Sequence, residues 1–120
     1  GVFDFASSNE LWRASIEVLD FVSFTNASYS GGIIITDWFS GNTNSNENNQ
    51  RELKITVRFL SNEIRADGIK IVIHEKVCTD KAKINCNISK IKSNIGNDIK
   101  LAILKKAALL KKETGKKTKK

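Results

Sequence analysis

Hydrophobic spacing divides the chain into stretches of two kinds, one repeating every three or four positions and one repeating every two. Ser7 followed by Glu10 has capping-box spacing, in which the hydroxyl and the carboxylate each satisfy a free amide at a helix start. Leu11, Trp12, Ser15, Ile16, Val18, Leu19 and Val22 then follow helical spacing and give an apolar stripe wide enough to cover a sheet. After Asp20 the period changes to two through Phe21–Thr25, which predicts a short strand, and Asn26–Gly32 supplies turn formers around Gly31 and Gly32.

Ile33–Phe39 is β-branched and aromatic and predicts a strand inside a sheet, with Ile33, Ile35 and Asp37 on one face and Ile34, Thr36 and Trp38 on the other. Residues 41–50, GNTNSNENNQ, hold five Asn and no apolar side chain, so burial cannot offset the entropy of ordering them and a mobile loop is expected. Strict alternation returns with Leu53, Ile55, Val57 and Phe59 against Glu52, Lys54, Thr56 and Arg58. A reversal at Asp67-Gly68 leads to Ile69, Ile71 and Ile73 against Lys70, Val72 and His74, so these two strands are expected to pair as an antiparallel hairpin. Residues 78–93 show no period. A last helix is expected from a cap at Asn94 or Asn97 to about Lys112, with Ile95, Ile99, Ala102, Ile103 and Leu110 on its apolar side. Residues 113–120 form a flexible basic tail on this reading.

The expected fold class is therefore α+β: one domain over 1–112, in the order α-β-β-β-β-α, a four-stranded antiparallel sheet with two helices on one face. A chain of 120 residues can bury one core unaided, and 40% apolar with 28% charged residues is the balance of a folded globular protein. No apolar run approaches the roughly 20 residues that cross a bilayer. Gly1 stands where an initiator Met would, the expectation for a mature or trimmed product.

Charge changes the picture only at one end. Residues 1–50 carry one Lys or Arg against six acids, whereas residues 81–120 carry thirteen against two. That asymmetry fits a solvated helix face, or attraction to nucleic acid, an acidic partner or an anionic lipid. Lys105, Lys106, Lys111 and Lys112 are the candidate anion contacts. A double-stranded-RNA-binding domain shares a similar order of elements, but its helix grips phosphate at the N-terminal end, and these lysines fall in the C-terminal half of the helix.

The chain shows no nucleophile paired with a base and no phosphate loop, and no catalytic, cofactor or metal residue is assigned. His74 and Glu75 are adjacent in a strand and point to opposite faces, so they cannot address one substrate together. Asp37 and Arg65 are candidates for a structural ion pair. Cys78 and Cys86 stand eight positions apart, which permits a disulfide, two buried thiols or half a metal site; a disulfide would stabilise by roughly 2.5 kcal/mol. Trp38 and Phe39 are the candidate protein contact.

The phrases ELWRASIEVLDFVSF, GGIIITDWFS, ITVRFLSNEIRADGIKI and NDIKLAILKKAALL, spread over about residues 7–112, resemble an uncharacterised family of alphaproteobacterial cell-envelope proteins. More distantly, a helix bearing an aromatic followed by a β-turn-β through Gly31-Gly32 looks like domains of the outer-membrane assembly lipoprotein BamC and similar helix-grip modules. The resemblance implies a periplasmic domain that binds rather than catalyses, with a protein partner in the envelope and a lipidated segment ahead of Gly1 attaching it to the outer membrane. An accessory role in outer-membrane protein assembly would follow. The alternative is a basic adaptor for RNA or anionic lipid, working through the last helix and the tail.

Overall fold

A computed structural model describes residues 9–40 and 50–118. Its elements are helix α1 (Glu10–Val18), strands β1 (Phe24–Ser28), β2 (Ile33–Thr36), β3 (Phe39–Ser40) and β4 (Gln50–Phe59), a 3₁₀ turn (Ala66–Gly68), strands β5 (Ile69–Cys78) and β6 (Cys86–Ile91), and helix α2 (Asn94–Thr118). All strand pairs are antiparallel in the order β1-β2-β4-β5-β6, with β3 also paired to β4. The α+β class and the antiparallel sheet match expectation. The number of strands does not: six strands form the sheet, not four.

Two features account for the difference. Ile33–Phe39 was expected to be continuous, but Ile35 pairs with Thr56 and Phe39 with Leu53, so Asp37 and Trp38 together stand opposite Lys54. This is a bulge, an extra residue that bends the strand and reverses the alternation beyond it. The backbone groups it frees find other partners: the Asp37 amide donates to the Ser23 carbonyl at 2.7 Å, and the Trp38 amide to Asp37 Oδ1 at 2.8 Å. The second feature is β6, which lies inside the stretch without a period. Its side chains are mostly exposed, so pairing with β5 rather than burial holds it.

The core lies between the helices and one sheet face. Strand residues Ile34, Leu53, Ile55, Val57, Ile69 and Ile73 meet Leu11 and Ala14 of α1, Leu19 at its C-cap, and Ile103, Ala107 and Leu110 of α2, all of them buried. Each large aliphatic removed from water contributes about 1.5–3 kcal/mol. The spacing of Ile103, Ala107 and Leu110 by four and three shows one stripe of α2 meeting this core. Two polar groups enter it with partners: Ser15 Oγ donates to the Leu11 carbonyl at 2.8 Å, and Thr36 Oγ1 accepts the Ile55 amide at 2.9 Å.

Helix ends depart from expectation by a few residues. The α1 cap is Asn9, whose Oδ1 accepts the Trp12 amide at 3.0 Å; the expected cap, Ser7, lies outside the described residues. For α2 the capping oxygen is Ser93 Oγ, which accepts the Ile95 amide at 3.2 Å. The helix runs on to Thr118, beyond the end expected near Lys112. The expected loop at 41–50 falls outside the description except for Gln50, which opens β4.

Candidate functional site

Both helices cover one face of the sheet, and among the described residues no helix covers the other, here termed the open face. Strand register decides which side chains meet there. Lys54 stands opposite His74, and His74 opposite Lys90, so three nitrogen-bearing side chains form a row across β4, β5 and β6. Neighbouring rows pair Arg58 with Lys70, Thr56 with Val72, and Glu52 with Lys76. Strands lie about 4.8 Å apart, so like charges directly opposite each other cost stability unless something neutralises them. Of the positions facing this side on β4, β5 and β6, Glu52 is the one carboxylate; its Oε1 takes Lys83 Nζ at 3.3 Å and Lys76 Nζ at 3.8 Å. The opposite end of the face, at Arg58, Lys70 and Lys90, has no such balance among the described residues.

The bulge places Trp38 on this face. Lys54 Nζ lies 5.0 Å and Lys76 Nζ 4.7 Å from the centre of its ring, both in cation–π contact. Phe39 turns the other way, opposite Leu53, and its ring meets Phe21 edge-on at 5.4 Å. The two aromatics proposed together as a protein contact therefore belong to different surfaces.

Cys78 and Cys86 are joined by a disulfide across the β5–β6 hairpin. The turn it closes is tied internally, with Asp80 Oδ1 accepting the amides of Ile84 and Asn85 at 3.1 Å. Its tip presents Ile84, 78% exposed, beside Lys83, and on the strand that follows Ile88 is 61% exposed on the open face. Among the described residues, no group of three or more His, Cys, Asp or Glu is placed to hold a metal ion.

The remaining sequence candidates separate as well. His74 lies on the open face, while Glu75 lies on the other and forms an ion pair with Arg51. Arg65 does not reach Asp37; it is held within its own turn by Asp67 at 2.6 Å and Glu63 at 2.9 Å. Hydrogen bonding to that guanidinium lowers the pKa of the Asp67 carboxyl. Lys106 pairs with Glu17 of α1 at 3.1 Å, and Lys105, Lys111 and Lys112 are exposed. At 100° per residue the four lysines are spread around α2 rather than gathered on one side.

Of the concavities among the described residues, two are the larger of those that adjoin these elements. One of about 450 Å³ is lined by Asn9, Trp12, Tyr29, Phe59, Ser61 and Asn62 among others, with no charged side chain. Its rings pack on each other, Trp12 to Tyr29 at 5.3 Å and Trp12 to Phe59 at 5.6 Å. The other, of about 350 Å³, lies where β6 stops at Ile91, leaving the start of β5 unpaired on that side and facing the first turn of α2. The sequence did not point to this second cavity, because its lining comes from three separate elements.

Comparison with known proteins places the chain in a family. The family described as "Domain of unknown function (DUF3576)" matches residues 5–112, and the chain belongs to it. The uncharacterized protein RP420 of Rickettsia prowazekii (strain Madrid E) is 29% identical over 97 residues, 81% of this chain and 54% of that protein. The chain thus spans about half the length of this curated relative. No solved structure matches.

Proposed function

We propose that this DUF3576 domain is a non-catalytic binding module of a bacterial envelope, exposed to the periplasm, that docks a protein partner on its open sheet face. The observation that carries the proposal is the division of the sheet: both helices lie on one face, while the other presents cations, Trp38, Val72 and Ile88. A face so rich in Lys and Arg favours a partner with acidic side chains, through steering and register more than through raw affinity. The Cys78–Cys86 disulfide supports an oxidising compartment. The finer parts of the proposal are a helix-grip-like architecture related to BamC domains, attachment to the outer membrane through a lipidated segment, and an accessory role in outer-membrane protein assembly.

A photo-crosslinking residue at Val72 tests this. The expected result is a specific protein adduct from intact envelopes that is absent when the probe stands at Leu109, on the exposed side of α2. Adducts from Leu109 alone, or none from Val72, would dispose of the proposal. The alternative, an adaptor for RNA or anionic lipid through α2, draws on the exposed Lys105, Lys111 and Lys112. It predicts binding that falls steeply with salt and is lost when these three are changed to Gln.

A further inference from the structure

We propose that the cavity between β5, the end of β6 and the start of α2 binds the phosphate group of a phosphoester ligand. Four lysines line it, Lys70 from β5, Lys90 from β6, Lys92 from the connection and Lys100 from α2, and no carboxylate does. None of the four is in an ion pair among the described residues. Asp67 lies close enough to Lys100 to feel its charge, but the Asp67 oxygens are engaged by Arg65 Nε at 2.9 Å and Nη2 at 2.6 Å. Asp98 is exposed two positions before Lys100, a spacing at which helical side chains do not face each other.

Four lysines border one cavity whose lining holds no acid, so the local field is positive, and a single carboxylate would leave most of that charge unbalanced. A phosphate supplies up to two negative charges and several acceptor oxygens, so it can accept from more than one lysine at once. Arg58, paired with Lys70 on the adjoining face, adds to the same field. The cavity volume of about 350 Å³ exceeds what one anion fills and lies within the range of small-ligand sites. Ile71 and Ile91 supply apolar wall for the carbon part of an ester. This inference is independent of the protein-docking proposal: it names a different ligand and a notch at one end of the sheet, and either can fail alone.

Inorganic phosphate is the first probe, titrated into the full chain while backbone amide shifts are followed by NMR. Saturable shifts are expected at Ser93, Gly96 and Asn97. In the double variant Lys70→Gln/Lys92→Gln, at two exposed positions, affinity is expected to fall about tenfold for each charge removed, the scale of one charge-assisted hydrogen bond. The control Lys105→Gln/Lys112→Gln is expected to bind like the parent. Vesicles of phosphatidylcholine with and without phosphatidylglycerol separate two sources of the group. Sedimentation with the anionic vesicles, lost in the notch variant but not in the control, assigns a lipid headgroup; phosphate binding without sedimentation assigns a soluble phosphoester. Absence of saturable shifts at the three amides, or equal weakening by both variants, overturns the inference.

Discussion

Strands β4 and β5 share one hydrogen-bonded ladder yet have two opposite faces. On the inner side Leu53, Ile55, Val57, Ile69 and Ile73 are each no more than 3% exposed. On the outer side, Lys54, Thr56, Arg58, Lys70, Val72, His74 and Lys76 alternate with them along the same backbone. Inner positions contribute stability by burial, while outer positions keep cations close together at some cost to stability. That division makes the two properties separable by mutation, residue by residue, within one strand.

The largest effect is expected on the inner face. Ile55→Ala removes a fully buried side chain from the centre of the core and should cost about 3 kcal/mol in a urea titration, from lost burial and the cavity left behind. Arg58→Ala, three residues along the same strand and exposed, should stay within about 0.5 kcal/mol. Equal losses from the two would break the distinction, because they would make the open face part of the stabilising structure.

A smaller effect is expected where the open face ends at the β5–β6 hairpin. Replacing both cysteines by Ala should lower stability by about 2.5 kcal/mol, the loop-closure entropy of a short disulfide ring. Because β6 buries little, the loss should appear first as amide exchange in residues 86–91, with the inner positions of β4 still protected. Uniform exchange across both strands would show that β6 and the core unfold as one unit.

What could be read from the sequence follows the same division. The alternation in β4 and β5 was legible because one of their faces is buried, and a buried face imposes a period of two. β6 was not, since its partners are a strand edge and a disulfide, neither of which requires apolar residues at alternate positions. The bulge at Asp37-Trp38 was equally silent. It depends on where two backbone amides find acceptors, and it moved Trp38 to the face opposite the one that its spacing assigned. The candidate site suffered most: Lys54, His74 and Lys90 are far apart in the chain and become neighbours only through register, whereas the lysine-rich segment at 105–112 that drew attention is spread around a helix.

The smallest effect expected sharpens the character of the open face itself. Lys76 has a second partner in Glu52, so Lys54 is the cleaner probe of the contact with Trp38. Lys54→Gln should cost about 0.5 kcal/mol, the lower range for a cation over an indole at a partly exposed site, and should change Trp38 emission as the ring loses its neighbouring charge. Trp12 gives a constant background, because its ring neighbours are Tyr29 and Phe59 near α1. If stability and emission are both unchanged, the ring is not held by Lys54. Lys76 would then be its remaining cationic neighbour, and the face would still combine an aromatic ring with cations, the pairing that single-stranded nucleic acids favour over acidic proteins.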